Sequence, residues 1–327
     1  MYKKYYKLNS EPFRLTPDPR FVFAHRSYQK AREYMRHALE QGDGFLVITG
    51  RSGTGKTTLV KDLLTGLSPG EVHAATLTFT RLEVDDLLRM VAYAFNVNAK
   101  GLDKATLLRE LEKFLEKESR ALLIIDEAQN LSPAALEEVR MLTNLHVRSH
   151  PVLQVFLLGQ EELRQRLHKP EMEQLHQRLM AACDLEPLSL QETQEYVLHR
   201  LNCAGWRGDP AISTAAFVLI HRFSQGLPRY INKLCARLFL HGAEEQRSLL
   251  ELDDLVTVIK EIQDELLLPL APEQEAYDHE SLPDIQALIS SSSLPADWMA
   301  YLSTEELAFI EGCPDVAEPV PIDPPPP

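Results

Sequence analysis

The sequence predicts an α/β protein: a parallel sheet covered by crossover helices, then a small all-helical domain and an acidic tail. Three observations carry this. Short apolar runs bounded by turn residues alternate with helical patterns through the first half of the chain. One of those runs leads into a glycine-rich loop that opens a helix. After Leu188 the strand-like runs stop, and beyond Pro269 the composition turns to proline, serine and acid.

Taken in order, the strands are expected at Phe45–Thr49, Val72–Phe79, Ala121–Asp126, Val152–Leu158 and a short Ala182–Leu185. Their continuous apolar character suits strands buried on both faces. Helices fit between them at Lys56–Leu64, Val84–Phe95, Ala105–Glu116 and Pro133–Asn144, the last with Ser132 as N-cap and Pro133 at the first position. The all-helical part reads as Leu190–Cys203, Ile212–Phe223, Arg229–Gly242 and Leu252–Leu267. This gives an α/β domain over 1–187, with residues 1–40 as an N-terminal segment of their own, a helical domain over 188–268 and a tail over 269–327. The tail's four serines (Ser290–Ser293) and terminal prolines predict disorder, interrupted by an amphipathic stretch at Trp298–Ile310. That stretch is either an inconsequential fraying helix or a motif that docks on a partner or on the chain itself.

Composition narrows the class. With 44% apolar and 25% charged residues the chain suits a globular domain. No apolar run approaches the roughly 18 residues that span a bilayer, and the opening MYKKYYKLNS has no apolar stretch of a signal peptide, so a cytoplasmic location is expected, with docking at the inner membrane left open. Cys183, Cys203, Cys235 and Cys313 show no zinc or disulfide spacing. The net charge of −14 belongs to the tail. From Glu261 onward there are 15 acidic and no basic residues, whereas residues 1–260 hold 34 basic and 33 acidic ones. A near-neutral folded part argues against a strong electrostatic footprint for nucleic acid.

Gly50-Arg51-Ser52-Gly53-Thr54-Gly55-Lys56-Thr57 matches the phosphate-binding pattern GxxxxGK[ST], after a strand and at the start of a helix. Such a loop turns successive backbone N–H groups toward phosphate oxygens, and the helix N-terminus adds its positive end. Lys56 is then expected on the β- and γ-phosphates, Thr57 on Mg²⁺ and Thr58 near the α-phosphate. The run Leu122–Ile125 ends in Asp126 and Glu127. Asp126 is expected beside the metal, and Glu127 as the group that orients or deprotonates the attacking water. The chain is thus expected to bind ATP with Mg²⁺ and hydrolyse it. A strand between the two motifs in sequence (Val72–Phe79) points to the additional-strand branch of P-loop NTPases.

These elements resemble the AAA+ superfamily, and further residues take their expected roles from that resemblance. Gln160, ending PVLQVFLLGQ, matches the polar sensor on the γ-phosphate or lytic water. Arg178, in QLHQRLMAACDLEPLS, matches the arginine finger offered to a neighbouring subunit's ATP. Arg229, in GLPRYINKLC, matches the sensor that reaches from a helical lid to the γ-phosphate. For both arginines a surface ion pair is the bland alternative. KLNSEPFRLTPDPRFVF, IIDEAQNLSPAALEEVRMLTN and FLLGQEELRQRL narrow the likeness to ATPases of the general secretion pathway protein A (ExeA) type, and within them to those associated with exosortase and exopolysaccharide systems. This resemblance covers about residues 1–265. It implies an adenine pocket that includes Phe23 and Tyr28, an ATP-stabilised ring or filament, and an envelope-complex protein as partner. Members of the secretion group typically add a membrane helix and a peptidoglycan-binding region, where this chain has its acidic tail. The alternative is a DNA-associated AAA+ ATPase of the transposition-regulator or initiator kind.

Overall fold

A computed structural model of the chain describes residues 1–42, 44–68, 70–78, 84–118, 120–147, 150–265 and 298–312. The fold divides into two compact units, Ala24–Glu186 and Met1–Phe23 together with the residues from Pro187 onward. The first helix of the chain, α1 (Tyr2–Tyr5), therefore belongs to the second, helical unit.

The α/β unit opens with α2 (Arg26–Gln41), a helix not expected from the sequence reading, which treated residues 1–40 as one segment. Tyr28, Ala31, Met35, Ala38 and Leu39 are buried at helical spacing, which marks its inner face. Then follow β1 (Phe45–Thr49), α3 (Lys56–Thr65), β2 (His73–Thr78), α4 (Val84–Ala94), α5 (Lys104–Leu115), β3 (Ala121–Asp126) and α6 (Pro133–Leu142). A two-residue pair, β4 (His146–Val147) with β5 (His150–Pro151), leads into β6 (Leu153–Leu158), α7 (Glu161–Leu167), α8 (Glu173–His176) and β7 (Leu179–Asp184). The caps are local. Ser132 Oγ accepts the Ala135 N–H at 3.1 Å, as its position before Pro133 predicts, and Asp103 accepts from Thr106 at the start of α5.

Five strands form one parallel sheet in the order β2-β3-β6-β1-β7. The strand that separates β1 from β3 is β6; β2 sits at the edge beside β3. The central strands β1, β3 and β6 are buried at every position. β7 starts three residues before its expected position, because it is an edge strand whose residues alternate between half-buried and exposed, a weaker signal than a continuous apolar run.

The helical unit comprises α1, α9 (Leu190–Cys203), α10 (Thr214–Ser224), α11 (Pro228–Glu244), α12 (Leu252–Asp264) and a last helix, α13 (Thr304–Gly312). Two-residue strands β8 (Ala211–Ile212) and β9 (Leu249–Leu250) pair in parallel, so Ile212 is a strand residue and α10 starts after its cap, Ser213. Ser189 and Glu192 form a reciprocal capping box at α9. The opening residues are part of this unit's core, a correction to their assignment with the sheet. Tyr6, Leu8, Phe13 and Phe21 are buried against α9, α10 and α11. Buried Arg200 of α9 holds them, donating to the Pro12 carbonyl at 2.5 Å and lying 5.1 Å over the Phe21 ring. Most of the segment expected to be disordered, 269–327, lies outside the described residues. Its stretch Trp298–Gly312 does not, and it packs on the helical unit.

Candidate nucleotide-binding site

All five strands of the sheet run the same way, so the residues just past β1, β3 and β6 gather at one edge, the place where open α/β sheets bind ligands. Past β1 comes the glycine-rich loop. Gly50, Gly53 and Gly55 have φ of 149°, 91° and 103°. At Gly50 glycine is required by space as well, since a Cβ would lie 2.7 Å from the Leu185 carbonyl oxygen. Thr54 is buried and donates to the Arg51 carbonyl at 2.9 Å, tightening the loop. Gly55 caps α3, so Lys56, Thr57 and Thr58 form its first turn, with N–H groups that have no partner inside the helix.

Lys56 is buried, and its Nζ donates to the carbonyls of Gly50 at 2.6 Å and Arg51 at 3.1 Å. Burial pushes its pKa down, against the pull of the Glu127, Asp126, Asp184 and Glu162 carboxylates. An ammonium desolvated within a loop of phosphate-binding shape is aimed rather than merely present. Thr57 Oγ1 donates to Asp126 Oδ2 at 2.7 Å, which brings together the two expected metal ligands from α3 and the end of β3. Asp126 Oδ1 accepts the Glu127 N–H at 2.9 Å.

Glu127 occupies the left-handed region at φ 56° and ψ 39°, uncommon for a residue with a side chain. Its carboxylate accepts from Gln129 Nε2 at 2.5 Å and from Gln160 Nε2 at 3.2 Å. Gln160 follows β6, and because β6 lies between β1 and β3, the expected sensor falls between the loop and the acid pair. Gln129 was not among the expected site residues. Its other amide atom, Oε1, accepts the Gln160 backbone N–H at 3.1 Å, so one side chain ties the two strand ends together. Asp184, at the end of β7, accepts from Thr49 Oγ1 at 2.7 Å.

Of the other expected residues, all but Ser52 lie outside this cluster. Ser52 is exposed in the loop. Tyr28 is buried in α2 and its hydroxyl donates to Asp62 of α3 at 3.1 Å; burial, then the Asp62 charge, raise its pKa. Phe23 belongs to the helical unit, where its ring lies 5.9 Å from that of Tyr196. Arg178 immediately precedes β7, whose first residue pairs with Phe45, so it sits at the sheet edge opposite its own phosphate loop. It is half-buried and donates to the Thr143 carbonyl at 3.3 Å. Arg229 is exposed as the second residue of α11. The turn before it is pinned: Gly226 has φ 66°, a Cβ there would lie 2.0 Å from the Leu188 carbonyl oxygen, and its own carbonyl accepts the Leu188 N–H at 2.8 Å.

The model of the AAA domain family matches residues 37–167. General secretion pathway protein A of Aeromonas hydrophila is 36% identical over 245 residues, which is 73% of this chain and 44% of that protein, so the chain spans less than half of this relative's length. Among solved structures, Cdc6p from Pyrobaculum aerophilum superposes with a TM-score of 0.61 at 17% identity, covering 80% of this chain and 75% of that one. The Aeropyrum pernix ORC1 protein, in a structure of its complex with DNA, gives 0.59 at 16% identity, covering 81% and 74%. At these identities the two structures speak for the fold alone. Residues 37–167 thus form an AAA domain, and the similarity over 245 residues marks it as an ATPase domain of the general secretion pathway protein A type.

Proposed function

We propose that the chain is a Mg²⁺-dependent ATPase that acts as an oligomer and powers or regulates a cell-envelope export or assembly system of the secretion, exopolysaccharide or pilus kind. The observation that supports the chemistry best is the 2.7 Å contact of Thr57 Oγ1 with Asp126 Oδ2, beside a buried Lys56 and a Glu127 held by two amides. A hydroxyl and a carboxylate are hard oxygen donors of the kind Mg²⁺ prefers, so the residues fit the ion. The ion, when bound, would neutralise charge on the phosphate oxygens. Lys56 would exchange its two carbonyl partners for β- and γ-phosphate oxygens. Glu127 would accept the proton of the attacking water, with Gln160 orienting that water or the γ-phosphate. Arg229 would sense the γ-phosphate, Arg178 would serve a neighbour's site, and Tyr28 would brace the adenine side.

The system served is inferred from the relative named general secretion pathway protein A and from the exosortase-type likeness that the sequence blocks across residues 1–265 carry together. No described helix is long and apolar enough to cross a membrane. Cytoplasmic residence with peripheral docking at the inner membrane belongs to the same proposal and follows the likeness to general secretion pathway protein A. A DNA-associated role is the second reading; the Aeropyrum pernix ORC1 protein, whose structure is of a complex with DNA, shares the fold.

Glu127→Gln tests the base: ATP is retained and turnover falls by about a hundredfold or more, as for a lost general base. Turnover at the wild-type rate would reassign it. Arg178→Ala should bind ATP without turning it over, and mixing it with Lys56→Ala subunits should recover part of the activity. Equal activity in mixed and separate samples would place the finger elsewhere. Salt-dependent retention of the ATP-locked Glu127→Gln protein on DNA would favour the second reading.

A further inference from the structure

We propose that the face formed by α10 and α12 is a docking site for a short acidic helix preceded by an aromatic residue, and that the chain's own Trp298–Gly312 segment occupies it reversibly in cis. Within that segment Ser303 and Glu306 form a reciprocal box: Ser303 N–H and Oγ both donate to Glu306 Oε2, at 2.7 and 2.8 Å, and Glu306 N–H donates back to Ser303 Oγ at 3.3 Å. The Glu306 carboxylate also receives both Nε and Nη2 of Arg222 from α10, a fork-to-fork pair with side chains only 7% and 9% exposed. Trp298 and Leu302 line a cavity with Val218 and Leu219 of α10 and Leu252 and Val256 of α12, and Phe309 packs on the unit's core. Three apolar contacts surround one buried acid–arginine pair. That is a recognition pattern, with an aromatic and a leucine preceding S-x-x-E.

The same features make the segment releasable. A buried ion pair contributes specificity more than strength, because desolvating both charges offsets most of their attraction. The apolar contact is incomplete, since an open pocket remains between the segment and the two helices. Nine residues are too few for α13 to persist as a helix in water, so undocking and unfolding of the segment are one event. Thirty-three residues, 265–297, connect it to α12; seven are acidic and none is Lys or Arg, so the tether offers no permanently charged competitor for Glu306.

The position also has a consequence. Arg222 lies in the last turn of α10, which ends at Ser224 and passes through Gln225, in the left-handed region, into Gly226–Arg229. Occupancy of the site therefore grips the helix that leads into the pinned turn bearing Arg229. This link rests on the sensor role assigned to Arg229; the docking itself does not.

The test uses the full chain and no nucleotide, so its failure is distinct from failure of the ATPase reading. Amide hydrogen exchange over 298–312 is measured in wild type, Glu306→Arg, Arg222→Glu and the double exchange. A labelled peptide of residues 298–312 is titrated into each. We expect protection in wild type, at least about tenfold faster exchange in both single variants, and recovery in the double exchange. The peptide should bind Glu306→Arg, whose groove is vacated with Arg222 intact, and bind wild type at least tenfold more weakly and Arg222→Glu not at all. Unchanged exchange in the single variants, or equal peptide binding to all chains, overturns the proposal. Protection that appears only with concentration-dependent dimerisation overturns occupancy in cis and assigns the site to a second copy. Retained circular dichroism in the variants separates undocking from misfolding.

Discussion

The two units are held together by opposite means. The α/β unit is one contiguous stretch of chain, and its sheet edge collects three short segments, 50–58, 126–129 and 159–160, each at or just past the end of a buried strand. The helical unit is closed by the ends of the chain. Arg200 reaches Pro12 and Arg14, Tyr6 reaches Arg247, and Arg222 reaches Glu306. A substitution in the first unit can therefore remove chemistry and leave the fold intact. In the second, a substitution at a buried closing contact such as Arg200 removes fold first. Both tryptophans, Trp206 and Trp298, lie in the helical unit, so tryptophan emission follows that unit alone.

The largest expected effect sharpens this contrast. Lys56→Ala should abolish nucleotide binding, read by a fluorescent ATP analogue, while unfolding of the protein in urea moves by no more than about 1 kcal/mol, because the lysine is already penalised by burial. A large loss of stability would show that the loop's carbonyls depend on it. Next, Arg200→Ala should cost the helical unit about 2–4 kcal/mol, since it removes charged hydrogen bonds to the Pro12 and Arg14 carbonyls and the Tyr196 hydroxyl and empties the space over Phe21. Tryptophan emission should report that loss, with ATP binding by the α/β unit less affected. Equal destabilisation of both units would erase the distinction. The smallest effect is Ser132→Ala, about 1 kcal/mol for a lost N-cap on α6, seen in urea unfolding followed by circular dichroism.

The same contrast governs what could be read from the amino-acid order. The central strands, the phosphate loop, Asp126, Glu127 and the Ser132 cap are legible because each depends on residues within a few positions. Gln129 was not, because its role depends on the left-handed backbone of Glu127 and on β6 entering the sheet between β1 and β3. The edge strand β7 was mislocated because half its side chains face outward. The packing of Tyr6, Phe13 and Phe21 was invisible for a different reason. They are single aromatic residues in an irregular segment, with no period to reveal a buried face, and their partners lie far along the chain. Trp298–Ile310 showed its apolar pattern, but choosing between fraying and docking required Arg222 opposite Glu306.

The hydrogen bond from Tyr6 to the Arg247 carbonyl joins residues 241 positions apart. During synthesis at about 5–20 residues per second, the opening residues would wait on the order of ten to fifty seconds for that partner to be made. The α/β unit, contiguous in sequence, can mature during this interval, while Tyr6, Phe13 and Phe21 stay uncovered. The helical unit is thus made in two instalments on either side of the α/β unit, and a ribosome stalled before Arg200 would display a nucleotide fold beside uncovered aromatic side chains.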